Sequence, residues 1–109
     1  MDLAEGCYGL ARSFPKAEEY RLTSQLLRAA TSVAANIAEG NGRGSRKDYA
    51  RFVSIARGSI AETETLLILA ARCRLAPSSE IEPLLNQADR IGRMLNGLHR
   101  SLDAGPDSP

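Results

Sequence analysis

The sequence predicts an all-α protein folded as an antiparallel, up-down-up-down four-helix bundle. Apolar residues recur at spacings of three and four along most of the 109 residues, without the strict alternation typical of strands. The apolar fraction of 43% is mostly alanine and leucine, with three tyrosines, two phenylalanines and no tryptophan. Such short or unbranched side chains favour helices, because they lose little rotamer freedom there. Three groups of helix-breaking residues separate four helices, and their short connections make neighbours antiparallel.

The first two helices are predicted at roughly residues 2–13 and 19–39. The first ends at Phe14-Pro15, because proline cannot continue a helix and disfavours the helical conformation of the residue before it. The glycine-rich run 40–44 ends the second, since glycine readily takes the left-handed conformation common at helix C-termini. The stripe that faces the core in the second helix consists of Leu22, Leu26, Ala30, Val33 and Ile37.

The third helix is predicted at roughly residues 45–74. Ser45 is a favourable N-cap, with Asp48 three residues later as a near capping box. In the C-terminal half the apolar surface nearly encircles the helix, through Leu66 to Ala70. A helix that is apolar on more than one side is usually buried on more than one side, so this width predicts a partner subunit.

The fourth helix is predicted at roughly residues 79–102. It begins at a capping box formed by Ser79 and Glu82, and Pro83 is tolerated because it falls in the first turn. Apolar residues then alternate spacings of three and four over three heptads, as in the seam of a bundle or coiled coil. Residues 103–109 are predicted to be a disordered tail.

Length and charge restrict the classes of function. The chain has room for one core, so residues 1–102 are expected to form a single domain. The formal net charge is +1, so attraction to nucleic acid must come from local clusters. Nothing resembles a signal peptide or a membrane span, so a cytoplasmic location without a membrane partner is expected. Cys7 and Cys73 are expected to be small buried thiols, with a disulfide as the alternative.

No metal, cofactor or catalytic site is expected. The one histidine, His99, has Asn96 rather than a carboxylate three residues before it, unlike the paired Glu-x-x-His motifs of di-iron bundles. Arg93 and His99 resemble the Arg–His motif of HEPN-type ribonucleases, which leaves a metal-independent ribonuclease as the weakest alternative. Residues six apart lie on different faces of a helix, which favours an ordinary polar surface and a non-enzymatic protein.

Basic residues concentrate at the start of the third helix. Residues 43–57 contain five basic residues and one acidic residue, Asp48, a local charge of +4. The N-terminus of a helix also favours anions. We therefore expect sequence-independent binding of RNA or DNA phosphates, with a plain solvated helix start as the alternative. Tyr49 and Phe52 are expected in the core rather than in base stacking. The candidate ligands are Arg43, Arg46, Lys47 and Arg51.

Polar residues within the second and third helices form a second group of candidates. Asn36 and Glu39 flank Ile37, and Glu62 lies in the middle of the third helix. Such residues are expected to make hydrogen bonds between helices or to cap the glycine turn. In that role they fix helix register or a subunit contact rather than perform chemistry.

The sequence from Phe14 to Leu75 resembles the bacterial four-helix-bundle family of ribosomal-RNA intervening-sequence proteins. The resemblance rests on Phe14-Pro15-Lys16, on the runs 22–30 and 32–40, on 42–43 and 45–49 with Phe52, and on the run 58–65. That family usually carries more chain before the position of Asp2, so the first helix is expected to be a shortened one.

This resemblance implies a four-helix bundle that assembles into a ring-like homopentamer. It also implies kinship with the accessory proteins of diversity-generating retroelements, which bind a reverse transcriptase and nucleic acid. The expected partners are therefore other copies of the chain, RNA or DNA, and a reverse transcriptase or another protein. Membership of this family predicts fold and assembly more directly than activity.

Overall fold

The computed structural model of the protein describes residues 2–103, and for Glu19 and Tyr20 it describes the backbone alone. The described residues form four α-helices. The predicted all-α class is confirmed, and the described residues form no strand. α2 and α4 each pack against both α1 and α3, so α1 and α3 occupy opposite corners of a bundle measuring 51 × 21 × 18 Å. The helices are α1 (Asp2–Ala11), α2 (Ser24–Asn41), α3 (Arg46–Arg72) and α4 (Ser78–Asp103).

The core consists of the apolar stripes that the periodicity predicts. Leu26, Val53, Leu67 and Ile81 are fully buried where the helices meet. Thr63 is also fully buried, and its hydroxyl donates a hydrogen bond of 2.8 Å to the carbonyl of Ser59 one turn earlier. A buried polar group satisfied in this way costs little free energy.

The start of the second helix differs from the prediction. A 3₁₀ turn covers Lys16–Glu18 and a π-helical turn covers Glu19–Thr23, so the α-helix begins at Ser24 rather than at residue 19. The tight first turn begins at Pro15, whose carbonyl accepts a hydrogen bond of 2.9 Å from the amide of Glu18, three residues later. This i→i+3 spacing defines a 3₁₀ turn. The wider π turn buries Leu22 in the core.

The turn between α2 and α3 does not use glycine as the sequence suggested. No described glycine has a positive φ, and α2 continues to Asn41 with Gly42 in a right-handed conformation. Gly40 is instead buried, and a Cβ there would lie 2.8 Å from the Cβ of Phe52. The missing side chain therefore permits a close approach of α2 and α3. The expected cap at Ser45 is confirmed, because its hydroxyl accepts the Asp48 amide at 3.1 Å.

Both ends of α4 also differ from expectation. The helix begins at Ser78, and the amides of Glu80 and Ile81 donate to the carbonyl of Pro77. Ser79 therefore lies inside the first turn, and the predicted capping box is wrong. Pro83 is the sixth residue of the helix rather than part of its first turn. Asp103 ends α4, and the rest of the expected disordered tail, 104–109, lies outside the described residues.

The two cysteines have different environments. Cys7 is fully buried between α1 and the core, whereas Cys73 is exposed at the end of α3, contrary to expectation. Both are free thiols, so the alternative of a disulfide does not hold. Burial raises the pKa of the Cys7 thiol from 9.0 to about 11, because the thiolate loses its hydration in the core.

The outer face of α3 keeps apolar side chains in contact with solvent. Ile68 and Leu69 remain 43% and 45% exposed, while Leu66 and Leu67 on the inner side are buried. The wide apolar surface predicted for this half of the helix is therefore only partly covered by the rest of the chain. None of the helices within residues 2–103 is long and apolar enough to cross a bilayer.

Candidate phosphate-binding groove

The predicted basic cluster lies on one wall of a groove of about 810 Å³ between the start of α3 and the end of α4. The antiparallel packing of these helices brings residues 46–55 beside residues 99–103, which the sequence alone did not connect. Three of the four predicted ligands line the groove, together with His99 and two carboxylates. Its lining consists of Arg46, Lys47, Asp48, Ala50, Arg51, Ser54, Ile55, His99, Leu102 and Asp103.

Arg46 links the start of α3 to the end of α4. It is half-buried, and its Nη2 donates a hydrogen bond of 2.8 Å to the backbone carbonyl of Ser101 in the last turn of α4. That carbonyl is among the four at a helix C-terminus that have no partner within the helix, and a cation is favourable there. Arg46 therefore fastens α4 to α3 and forms part of the wall of the groove.

Arg43 and Arg51 both rest on the ring of Phe52. Their guanidinium carbons lie 4.8 and 4.5 Å from the ring centroid, distances typical of cation–π contacts. Arg43 also pairs with Glu39, and Arg51 lies 3.8 Å from Asp48. Phe52 is half-buried rather than fully in the core. These contacts hold the two guanidinium groups in place and offset part of their charge.

Lys47 on α3 and His99 on α4 both line the groove. Lys47 is exposed and has no ion pair or hydrogen bond within the part of the chain that the structure describes. His99 contributes from α4 with 23% of its side chain exposed, and its Nδ1 lies 3.7 Å from Asp103. His99 is the residue that sequence reasoning missed as a groove component, because a spacing of 52 residues carries no signal of contact without the helix pairing.

Arg93 does not join His99. It lines a separate groove of about 360 Å³ further along the same pair of helices, is 80% exposed, and pairs with Asp89 at 3.1 Å. In that groove Arg57 Nε donates to Asn96 Oδ1 at 2.8 Å, which links α3 to α4. The Arg–His pair that suggested a ribonuclease is therefore divided between two grooves within one chain.

The three polar candidates differ in position. Asn36 donates from Nδ2 to the carbonyl and the hydroxyl of Ser32, and that hydroxyl is 2.9 Å from the hydroxyl of Ser59 on α3. Asn36 thus supports a hydrogen bond between helices through Ser32. Glu39 and Glu62 are both exposed. Glu39 pairs with Arg43 on its own turn, and Glu62 borders a shallow polar groove between α2 and α3.

Within residues 2–103, histidine, cysteine and carboxylate side chains form no group of three that could hold a metal ion. The larger groove combines three basic side chains with two carboxylates and one histidine around open space. Such a surface suits a phosphate group, which accepts hydrogen bonds from several donors at once.

Comparison with known proteins agrees with this architecture. A crystal structure at 1.70 Å of a protein with unknown function, from the S23 ribosomal protein family of Bacteroides thetaiotaomicron, matches with a TM-score of 0.75 and 24% identity. The match covers 91% of this chain and 99% of that one, and it supports the fold. None of the curated proteins compared matches the chain. The sequence model for the 23S rRNA-intervening sequence protein matches residues 1–97, and the chain belongs to that family.

Proposed function

We propose that the protein is a non-enzymatic, cytoplasmic scaffold that self-associates and holds the phosphate backbone of RNA or DNA with modest affinity. The ring-like homopentamer implied by the sequence resemblance is the expected assembly. The observation that carries the nucleic-acid proposal is the convergence of Arg46, Lys47, Arg51 and His99 on one groove. The ligand class follows from the donors, because cations on an open wall bind backbone phosphates without reading bases.

The four basic residues differ in their contacts, so we expect each to contribute differently to phosphate binding. Lys47 is the most available ligand, and Arg51 and Arg43 present guanidinium groups held against Phe52. Arg46 shapes the wall through Ser101. Asp48 and Asp103 line the same groove and weaken its field, which is consistent with a modest affinity for one subunit. Assembly multiplies the number of clusters in one particle and thereby strengthens the attraction.

Self-association is supported by apolar surface that the single chain leaves open. Ile68 and Leu69 on α3 and Met94 on α4, which is 71% exposed, are large hydrophobic side chains in contact with solvent. Ile68 and Leu69 are adjacent on one helix, and exposed apolar residues that lie together commonly mark a surface for another protein. A homo-oligomer covers these side chains without requiring any further gene product.

The test of nucleic-acid binding compares two double variants. In Lys47→Ala with Arg51→Ala, we expect weaker retention of labelled RNA and DNA. The dependence of log affinity on log salt should also become smaller, by about one unit for each phosphate that the variant no longer neutralises. The matched control removes the same charge elsewhere, at Arg12→Ala with Arg28→Ala, two exposed residues outside the groove. Equal affinities of the two double variants at low salt would contradict the proposal.

A second candidate function is that of a purely structural partner of another protein, such as a reverse transcriptase. This function is favoured by the contacts that the basic side chains already make within the chain. Arg43 pairs with Glu39, Arg46 donates to the carbonyl of Ser101, and Arg51 lies near Asp48. Failure of the intact assembly to shift any labelled RNA or DNA at low salt would support this function. The ribonuclease alternative has no such support, because Arg93 and His99 lie in different grooves.

A further inference from the structure

The middle parts of α3 and α4 border a groove of about 360 Å³, here called the middle groove. At one end of it, Arg57 and Asn96 are joined by a hydrogen bond of 2.8 Å. Glu64 on α3 and Asp89 on α4 also line it, each seven positions from the member of that pair on its own helix. Seven positions are two turns, so in these antiparallel helices both carboxylates lie about 10 Å from the pair along the axis. Hydrogen-bond donors therefore border one end of the middle groove, and carboxylates border the other.

Small residues lie between these two ends. Gly58 and Ala61 line the middle groove from α3, and Gly92 lines it from α4. A Cβ added at Gly58 would meet no atom within 4 Å, so the space beside this glycine is open. Because no long side chain fills the centre, a flat ring can enter and approach the backbone of both helices.

The carboxylate of Glu64 has unused capacity to accept hydrogen bonds. Its side chain is half-buried, yet within residues 2–103 no hydrogen bond or ion pair engages it. Asp89, by contrast, is exposed and pairs with Arg93 at 3.1 Å. A half-buried carboxylate has lost part of its hydration, and a ligand that donates hydrogen bonds to it restores the lost interactions. Glu64 is therefore the acceptor of the middle groove that gains most from a ligand.

The donor end also has unused capacity. One bond, from Arg57 Nε to Asn96 Oδ1, joins the pair, and among the described residues neither Arg57 Nη atoms nor Asn96 Nδ2 have an acceptor. Two basic and two acidic side chains line the middle groove, so it carries no net charge. Such a groove suits a neutral ligand that both donates and accepts hydrogen bonds rather than a second phosphate.

We propose that the middle groove binds one unstacked guanine base of a single-stranded nucleic acid. The Watson–Crick edge of guanine carries two adjacent donors, N1–H and the N2 amino group, followed by the acceptor O6. The two donors match the two oxygens of the Glu64 carboxylate, and O6 matches a donor from Arg57 or Asn96. Cytosine, adenine and uracil in their ordinary forms lack two adjacent donors on this edge, so they satisfy the carboxylate less well.

The position of the middle groove supports a nucleotide as the ligand. It follows the phosphate-binding groove along the same seam between α3 and α4, and Ser54 lines both. Arg51 and Gly58 are seven positions apart, about 10 Å along α3, a distance that a strand spans between one phosphate and the base of a neighbouring nucleotide. The inference rests on the proposed binding of backbone phosphates and adds the recognition of one base to it.

The experiment measures affinities of the full chain for labelled RNA strands of about 12 nucleotides at low salt, by fluorescence anisotropy. All positions are uridine, except that a central one is guanosine, inosine or uridine. Inosine lacks only the N2 amino group of guanosine. We expect the wild type to bind the guanosine strand about tenfold more tightly than the inosine strand. In Glu64→Gln the two affinities should become equal, because the glutamine amide offers one acceptor and an opposing donor.

Glu62→Gln is the matched control, since Glu62 is exposed on the same helix outside the middle groove. Both substitutions remove one negative charge, so a general gain in affinity appears in both, whereas the preference for guanosine should disappear only in Glu64→Gln. Equal binding of guanosine and inosine strands by the wild type, or a preference that persists in Glu64→Gln, would overturn the proposal. The all-uridine strand separates the two levels: its binding keeps the proposed phosphate contacts, and failure to bind any strand removes both.

Gly58→Leu tests the space of the middle groove without changing its charge. Gly58 is exposed and a Cβ there meets no atom, so the helix tolerates leucine while the longer side chain fills the groove. We expect the preference for guanosine to vanish and the affinity for the all-uridine strand to stay the same. Gly9→Leu, at an equally open glycine of α1, should keep the preference. A preference retained by a Gly58→Leu protein with unchanged helical circular dichroism would show that the base binds elsewhere.

Discussion

The guanidinium group of Arg46 donates a hydrogen bond of 2.8 Å to the backbone carbonyl of Ser101, across 55 residues of sequence. The first residue of α3 thereby satisfies a carbonyl in the last turn of α4. This bond joins the two helices at the end of the bundle where the candidate groove lies, so the shape of the groove depends on it.

Arg46→Ala should lower the free energy of unfolding by about 1–2 kcal/mol, because the carbonyl of Ser101 loses its donor and the half-buried side chain loses its packing. Urea denaturation measures this change, and hydrogen exchange should show faster exchange in the last turn of α4. Lys47→Ala is the control, and we expect it to change stability by less than about 0.5 kcal/mol. Equal stability of the two variants would show that the bond to Ser101 contributes nothing.

Gly40→Ala should destabilise the protein by about 1–3 kcal/mol, because the added Cβ would lie 2.8 Å from the Cβ of Phe52 and 3.0 Å from the Tyr49 ring. Thermal unfolding followed by circular dichroism measures the effect. Gly44→Ala in the same turn has no atom within 4 Å of the added Cβ and a φ that any residue adopts, so its stability should stay level or rise slightly. A neutral Gly40→Ala would mean that the two helices separate at little cost.

The stability of the protein should fall between about pH 9 and about pH 11 because of Cys7. In this range the unfolded thiol loses its proton, whereas the folded thiol, whose pKa is about 11, keeps it. The unfolded state therefore binds fewer protons, and the free energy of unfolding decreases by up to about 1.4 kcal/mol per pH unit. Below pH 9 the thiol is protonated in both states and contributes no slope.

Urea titrations of the wild type and of Cys7→Ala across this range measure the contribution of Cys7. Every other side chain is common to the two proteins, so the difference between the two curves isolates the buried thiol. Parallel curves for the wild type and Cys7→Ala would contradict the assignment.

Ser32 and Ser59 should show a coupling free energy of about 0.5–1.5 kcal/mol in a double-mutant cycle, because their hydroxyls are 2.9 Å apart and Asn36 donates to the same Ser32 oxygen. Denaturation of Ser32→Ala, Ser59→Ala and the double variant gives this value. The pair Ser32→Ala and Ser54→Ala serves as the reference, and its effects should add. Additivity in both cycles would indicate that the hydroxyl contact carries no net energy.

The fold class followed from the sequence because its causes are local or periodic. The stripe of Leu22 to Ile37 and the N-cap at Ser45 depend on spacings that neighbouring residues set. Two helix starts were not predictable in the same way: α2 begins at Ser24, and Ser79 does not act as the N-cap of α4. Pro15 permits more than one kind of turn after it, and the carbonyl of Pro77 replaces the expected side-chain cap.

The candidate groove was predictable only in part. The concentration of Arg43, Arg46, Lys47 and Arg51 is visible in the sequence, but their separate roles depend on contacts with distant or half-buried groups. Phe52 was expected in the core, yet two guanidinium groups rest on it. His99 lies in the groove because α3 packs against α4. The spacing of residues within one helix does not indicate this packing.

The dimensions of the bundle, 51 Å in length against 21 and 18 Å in width, have a hydrodynamic consequence. A rod of this kind diffuses more slowly than a sphere of the same mass, so the monomer should elute early in size exclusion and resemble a larger globule. Contacts through Ile68 and Leu69 on α3 or through Met94 on α4 lie on the sides of the rod and widen the particle rather than lengthen it. The frictional ratio should therefore fall as copies associate, and a particle that grew end to end would show the reverse.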